Sequence, residues 1–168
     1  MAFREDVLIY PTMVRLSSCL CAEITASELP EPCFCGIIPG TEQNLDCGSC
    51  DDGCGAAWVR LDTGFITSDF PQPDISLANC NKQVAFALEV GITRCFSPFG
   101  DAEGNMPGVD EYLRQTRLQL ADMAAIRRAV ACCFADVDTD YILGTYQPIP
   151  FEGGCGGGAW QVLVMEGS

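Results

Sequence analysis

The sequence predicts an α/β protein of the α+β type, in which a mixed or antiparallel β-sheet carries two main helices on one face. The first observation is the stretch 82–96, where large apolar residues alternate with small or polar ones, as in a strand with one buried face. The second is a pair of stretches, 11–26 and 110–134, whose apolar residues recur every three or four positions, as in amphipathic helices. The third is the length of 168 residues without a long linker, which suits a single domain over 1–168.

The stretch 82–96 is the strand around which we expect the sheet to form. It is long for a strand, so its apolar face needs the cover that two helices can supply. The residues expected against the helices are Val84, Phe86, Leu88 and Val90. The opposite face is small or polar and carries Glu89. We expect that face to be left for a neighbouring subunit, a channel lumen or water.

The segments before the long strand are a helix, a short strand, a loop and a second strand. Pro11 suits the first turn of a helix, and the apolar stripe of that helix comprises Met13, Leu16, Leu20 and Ile24. Residues 33–38 form a short apolar run that ends in a Pro-Gly turn. The segment 41–55 is a polar loop rich in glycine and cysteine, and 56–68 has the composition of a strand.

The segments after the long strand are an exposed loop at 97–109, a long helix and two strands. Asp110 is expected to cap the helix. Its two apolar stripes are Leu113, Leu120, Met123, Val130 and Phe134, and then Leu118, Ile126 and Cys133. An apolar arc this wide predicts contact with the sheet and with something else besides. Pro148 and Pro150 predict that 141–151 is an edge or irregular strand. The segment 152–158 is predicted to be a flexible hairpin loop, and 159–165 the last strand.

Charge and composition exclude several classes of function. The chain carries 23 acidic and 9 basic residues, a net charge of −14, and a surface this acidic does not grip nucleic acid through phosphates. The simplest role of the charge is solubility. The absence of histidine excludes the Ser-His-Asp triad, the Cys-His dyad and His-ligated metal sites. Residues 153–158 lack the Gly-Lys-Ser/Thr ending of a phosphate-binding loop, so we expect no enzymatic activity.

The sequence carries no sign of membrane insertion. No run of eighteen or more apolar residues is present, so no transmembrane helix is expected. The stretch MAFREDVLIYP lacks the basic segment, apolar run and small-residue cleavage site of a signal peptide. We therefore expect synthesis in a cytoplasm and no membrane partner.

Twelve cysteines are many for a chain with these features. Five lie in or near the loop 41–55: Cys33, Cys35, Cys47, Cys50 and Cys54. Cys47 and Cys50 have the C-x-x-C spacing of zinc ligands, and Cys33 or Cys35 would complete the set. The alternatives are disulfides within this cluster or free thiols. A redox-active motif is disfavoured because the loop is not a helix N-terminus. No cofactor other than zinc is indicated.

Four sequence blocks resemble a family of small proteins encoded in the structural gene blocks of tailed phages that infect actinobacteria. They are VRLSSCLCAEI with PCFCGIIPG, AAWVRLDTGF with FPQPD, LQLADMAAIRRAVACCF, and LGTYQPIPFEGGCGGGAWQVLVM. Together they cover most of the chain, and none is a catalytic signature. The order of helix, strands, helix and strand is similar to that of tail terminators. These are rings, typically of six subunits, that cap the tail tube of long-tailed phages and join it to the head.

The resemblance implies a structural virion protein of the phage neck, made in the bacterial host cytoplasm. Its expected partners are further copies of itself, a neighbouring head–tail connector protein and the tail tube protein. DNA would pass through the ring without specific binding, repelled by an acidic wall to which Glu89 contributes. The loops 41–55 and 97–109 would contact the rings above and below. The long-helix arginines expected to pair with a neighbour's carboxylates are Arg114, Arg117, Arg127 and Arg128.

Two alternatives to a tail terminator stay open on the sequence. One is another ring of the head–tail connector, an adaptor or a stopper, which the resemblance does not separate from a terminator. The other is a cysteine-rich metal or redox module that acts as a regulator. The metal content of the purified protein distinguishes the module from a ring protein, because one zinc per chain and unfolding on chelation would favour the module.

Overall fold

The computed structural model describes residues 9–40, 49–50, 53–75, 83–96, 107–152 and 154–165. Its elements, in chain order, are α1 (Ile9–Ala26), β1 (Phe34–Ile37), β2 (Ser49–Cys50), β3 (Gly53–Cys54), β4 (Ala56–Thr67), β5 (Gln83–Cys95), α2 (Val109–Phe134), β6 (Tyr141–Glu152) and β7 (Cys155–Met165). A mixed five-stranded sheet and two helices make this an α+β fold, as the sequence predicts.

The five-stranded sheet is built on β5. Its strand order is β1-β4-β5-β7-β6, and the short strands β2 and β3 form a separate two-stranded ribbon. β1 is parallel to β4, whereas every other pair of neighbours in the larger sheet is antiparallel. β5 pairs with β4 on one side and with β7 on the other. The predicted central position of the stretch 82–96 is therefore confirmed.

The core lies between the two helices and one face of this sheet. On β5, Leu88, Val90 and Ile92 are fully buried in the core, which confirms the predicted face at Leu88 and Val90. Val84 and Phe86 share that face but are only half-buried. The core is therefore centred closer to the C-terminal end of β5 than the alternation alone indicates.

The two helices pack side by side on that face and run antiparallel to each other. A disulfide joins Cys19 to Cys133, and Arg128 of α2 reaches back to Glu23 of α1 with an N–O distance of 2.7 Å. α1 lies against β1 and β4, and α2 against β5, β7 and β6. The predicted α1 stripe is confirmed, because all four of its residues are buried: Met13, Leu16, Leu20 and Ile24.

The N-terminus of α2 differs from the prediction. The helix begins at Val109 after an extended Gly108, and no side chain caps it. Asp110 therefore lies inside the first turn instead of capping the helix. A carboxylate in this turn still interacts favourably with the positive end of the helix dipole.

The predicted hairpin loop 152–158 is wrong over most of its length, because β7 begins at Cys155 and includes glycines 156–158. These glycines are needed for close packing. A Cβ on Gly157 would collide with the backbone of Ile92 on β5, and the Gly157 carbonyl accepts a hydrogen bond from Gln119 of α2 at 2.6 Å. The run is therefore a strand that neighbouring elements approach closely. β6 is an edge strand with register shifts, as its two prolines predict.

Candidate functional site

The sheet face opposite the helices carries a hydrogen-bonded group centred on Glu89. Trp58 donates from Nε1 to one carboxylate oxygen at 3.1 Å, and Arg60 donates from Nη2 to the other at 2.8 Å. The register brings them together, because Arg60 lies directly opposite Glu89 and Trp58 opposite Gly91. Gly91 is required there, since a Cβ at this position would collide with the Trp58 ring. Trp58 is fully buried although it is on this face.

Glu89 is thus on the face that the sequence predicts, but its charge is compensated by Arg60. Its side chain is 24% exposed. It borders a shallow groove of about 150 Å³, lined by Asp62, Glu89, Thr145, Gln147, Ala159 and Gln161. All but one of these side chains are polar, and Asp62 is exposed. The groove suits water or a polar surface. That Glu89 lines a channel stays a prediction.

A second surface lies on α2. Val109, Leu113 and Leu120 are 75%, 49% and 53% exposed, and with the exposed Arg127 they recur at four- and seven-residue steps along one side of the helix. We call these four residues the α2 flank. At about 100° per residue, the flank lies roughly opposite Cys133, whose disulfide marks the side that faces α1. The flank therefore faces away from α1, on the β6 side of the helix layer.

The four arginines predicted at a subunit interface differ in their present partners. Arg114 pairs with Glu111 at 2.6 Å, and hydrogen bonds from Arg114 and Gln115 lower the pKa of Glu111 to about 2. Arg128 bonds to Glu23 and Ser27 of α1, so it contributes to helix packing within the chain. This Arg128 contact also lowers the pKa of Glu23.

Two of those arginines are not engaged in this way. Arg117 and Arg127 are exposed, and neither forms an ion pair with another residue in the part of the chain that the structure describes. Arg127 belongs to the α2 flank. These two are the best placed of the four predicted residues to bind carboxylates of another molecule, and that role stays a prediction.

The predicted cysteine cluster is divided among several disulfides. Cys33 bonds to Cys50 inside the cluster, whereas Cys35 bonds to Cys21 on α1 and Cys54 to Cys95 on β5, with Cα–Cα distances of 5.7, 6.0 and 5.7 Å. Cys47 lies outside the described residues, as do 41–48, 51–52 and 97–106 of the two predicted contact loops. Within the described ranges, no group of three or more acidic or cysteine side chains is arranged around a metal site.

The disulfides stabilise one end of the sheet. Parallel β1 and β4 begin there, and antiparallel β5 ends there. Cys95 lies directly opposite Cys155, which is itself disulfide-bonded. Cys132 on α2 is a free and exposed thiol. The described bonds join α2 to α1, α1 to β1, and the β2–β3 ribbon to Cys33, just before β1, and to β5. They therefore cross-link elements instead of forming a reactive centre.

Sequence reasoning missed a buried ion pair between the sheet and α2. Arg94 binds Asp122 through two hydrogen bonds, each 2.7 Å long. The signal was present in the pattern, because Arg94 continues the even-numbered apolar positions of β5 and Asp122 lies one turn before the buried Ile126. Two opposite charges on facing apolar stripes indicate an internal pair.

Comparisons with known proteins add no family assignment. No protein-family model matches the chain, and no curated protein matches it in sequence. Over the described residues, neither helix has the length and apolar character needed to cross a membrane.

Proposed function

We propose that this chain is the subunit of a closed ring, most simply of six copies, at the head–tail junction of a long-tailed phage. In this role it acts as a tail terminator, capping the tail tube and joining it to the neck. The proposal is supported by the four-block resemblance to phage neck proteins and by an α+β architecture with helices on one sheet face. The chain contributes structure and no chemistry.

The observation that carries the proposal is the α2 flank. Its three apolar side chains are about half exposed or more, and no described element covers them. An apolar stripe of this kind on a chain that is otherwise strongly acidic favours burial against another protein. Arg127 on the same stripe gives the contact a charge that carboxylates of a neighbouring copy can match.

A ring contact is head-to-tail, so the two surfaces that meet must differ. The chain offers two different sides. The side formed by α2 and β6 carries the α2 flank, and the opposite side is formed by α1, β1 and the outer edge of β4. The exposed apolar residues of α1, Tyr10 and Val14, are 53% and 40% exposed, so the second side also has apolar area for a contact.

The sheet face with the Glu89 group is the surface we assign to the channel. Its groove is polar and includes the exposed Asp62. Because Arg60 compensates Glu89, the repulsion of DNA depends on Asp62 and on the overall charge of −14 more than on Glu89. Such a wall repels phosphates and lets DNA pass without binding it.

The test is the position of the chain in phage particles. Antibodies against the purified protein are used to label particles that contain it, and the labelled position is read by electron microscopy. We expect label at the junction of head and tail, and loss of the gene should leave filled heads and tails that do not join. Label on the capsid or the tail tip, or no copy of the chain in purified particles, would contradict the proposal.

The position of the protein within the neck distinguishes a terminator from another connector ring. A terminator stays with isolated tails, whereas an adaptor or stopper stays with isolated heads. The regulatory metal or redox module is tested by metal analysis of the purified protein. One zinc per chain together with unfolding by a chelator would favour that module over the ring.

A further inference from the structure

A pocket of about 390 Å³ lies at one end of the helix layer, between the start of α1 and the turn that joins α2 to β6. Its lining among the described residues is Pro11, Thr12 and Arg15 of α1, with Val137 and Thr139 of the turn. The volume falls within the range of small-ligand pockets. The pocket is separate from the Glu89 group, which lies on the opposite face of the sheet.

Arg15 is held beside this pocket by an aromatic ring and not by a charge. Its guanidinium carbon lies 5.5 Å from the centroid of the Phe134 ring. Phe134 is only 3% exposed and stacks on Tyr141 with a centroid distance of 4.7 Å. A cation–π contact of this kind positions the guanidinium and leaves its N–H groups able to donate to another molecule.

The guanidinium of Arg15 has no acceptor within the described part of the chain. It forms no ion pair and no hydrogen bond there, and its Nε is buried. A buried donor of a charged group costs free energy when it has no partner, so such a group needs an explanation. A bound anion would supply the acceptor that is missing.

Two threonine hydroxyls in the same pocket add to this set of donors. Neither Thr12 nor Thr139 uses its side-chain oxygen in a hydrogen bond to another described residue. A hydroxyl can donate one hydrogen bond and a guanidinium can donate several. Hydrogen bonds from a cation to an anion are the strongest of these, so Arg15 is the principal group of the pocket.

The charges around the pocket favour an anion with a single negative charge. The turn also carries Asp136, Asp138 and Asp140, all of them exposed, and the chain has a net charge of −14. This surface repels a polyanion such as nucleic acid. A carboxylate brings only one charge, and its two oxygens match the fork of a guanidinium.

The position of the pocket indicates where the carboxylate comes from. Copies in the proposed ring meet through their α2–β6 and α1–β1 sides, so the ends of the strands face along the channel. β6 begins at Tyr141, opposite Val164, at the far end of the sheet from Cys95 and Cys155. The pocket beside this start of β6 is therefore placed toward an adjoining ring.

We propose that this pocket is a carboxylate-binding site, which takes an acidic side chain of the protein ring stacked on this end of the molecule. Arg15 binds the carboxylate, and Thr12 and Thr139 donate to its oxygens. The site itself rests on the pocket and its donors alone. The assignment of its ligand to an adjoining ring rests on the proposed function.

The site is tested by NMR spectroscopy of the free chain with its disulfides intact. The probe is N-acetylglutamate α-amide, and the uncharged N-acetylglutamine amide is the control probe. We expect a saturable shift of the Arg15 Nε–H signal with the first probe and none with the second. Followed by the backbone signals of 137–139, Arg15→Gln should weaken binding at least about tenfold and Thr139→Val about threefold. Arg60→Gln, on the opposite face of the sheet, should bind the probe as the unaltered chain does.

Four results of this titration would overturn the site as proposed. They are equal shifts with both probes, tighter binding of inorganic phosphate than of the glutamate probe, binding that Arg15→Gln leaves unchanged, and binding that appears only after removal of residues 1–8. The last result would mean that the chain's own N-terminus occupies the pocket instead of a partner.

The partner is tested in phage particles. Phage that carry Arg15→Gln should form rings of normal mass, but their heads and tails should not stay joined. Joined particles with Arg15→Gln would overturn the assignment to an adjoining ring and leave the ring itself intact. Failure of the unaltered chain to form any ring contradicts the proposed function, while the NMR titration still decides whether the pocket binds a carboxylate.

Discussion

Arg94 of β5 and Asp122 of α2 form a bidentate ion pair inside the protein, with both side chains only 4% exposed. Arg94 also donates to the carbonyl oxygen of Pro30. One guanidinium thus joins the central strand, the long helix and the segment between α1 and β1. Burial raises the pKa of the Asp122 carboxyl, and the hydrogen bonds from Arg94 oppose that rise.

Replacing Asp122→Ala should destabilise the protein by about 3–5 kcal/mol, because it leaves the Arg94 cation buried without its partner. Chemical unfolding of the oxidised protein, followed by circular dichroism, measures the change. The matched control is Glu111→Ala, which removes an exposed ion pair on the same helix and should shift the unfolding midpoint only slightly. Equal effects of the two variants would mean that the internal pair contributes no more than a surface pair.

Two substitutions to aspartate test which face of β5 is buried against the helices. Leu88→Asp should give insoluble protein, because an unpaired carboxylate in a fully buried position costs several kcal/mol. Phe86→Asp, two residues earlier on the same face, should give a less stable but partly soluble protein, because Phe86 is only half-buried. Solubility after expression and refolding yield are the measurements. A soluble, stable Leu88→Asp protein would mean that the faces of β5 are reversed.

The raised pKa of the Tyr146 phenol predicts that the protein loses stability at alkaline pH. Its burial and the nearby Asp122 charge raise the pKa of Tyr146 to about 12, and the Gln119 side chain opposes the rise. Between about pH 10 and 12 the unfolded chain therefore loses this proton while the folded chain keeps it, so the free energy of unfolding falls as pH rises. The difference in absorbance at 295 nm between the protein and Tyr146→Phe should titrate near pH 12. Titration of the same difference near pH 10 would contradict the burial of this phenol.

The disulfides predict a ranking of stability losses. The Cys19→Ser, Cys133→Ser double variant opens a bond with a sequence separation of 114, and chain entropy predicts a loss of roughly 4–5 kcal/mol. Cys50→Ser opens the bond to Cys33, with a separation of 17, and should cost about 3 kcal/mol. Assembly should persist in both. The control Cys132→Ser removes a free thiol and should change nothing. Mass spectrometry that finds every cysteine free in protein purified without a reductant would refute the ranking.

The α2 flank predicts an assembly defect without a folding defect. The Leu113→Glu, Leu120→Glu double variant places two carboxylates on the exposed apolar stripe, so the free chain should fold normally. Its assembly should be lost because the charges would be desolvated against a neighbour. Ile75→Glu is the matched control, since Ile75 is fully exposed and distant in sequence from the flank. Native mass spectrometry compares the three proteins, and unimpaired assembly of the flank variant would exclude the flank from the interface.

The spacing of apolar residues predicted the helices, the strands and the central strand, because a buried face requires apolar residues at the period of its secondary structure. The α1 stripe and the alternation on β5 are direct consequences of packing against one partner layer, so their buried faces followed from the pattern alone. The glycines at 156–158 did not. Their composition favours a loop, and only the closeness of Ile92 and of α2 makes them a strand.

The sequence pattern could not predict which distant residues form disulfides or ion pairs with each other. Cys35 could not be assigned to Cys21, or Cys54 to Cys95, because several partners have comparable spacing and the fold selects among them. Glu89 was placed on the correct face, but its neutralisation by Arg60 depends on the β4–β5 register, which turns and bulges set.

The central claim, a closed ring, is tested most directly by electron cryomicroscopy of the assembled chain, in the phage neck or as purified protein. We predict a closed ring of six copies in which the α2 flank is buried against the next copy and the Glu89 face lines a channel without a basic surface. A monomer or a two-fold dimer formed through α2, or a channel lined by arginines that contact DNA, would contradict this account.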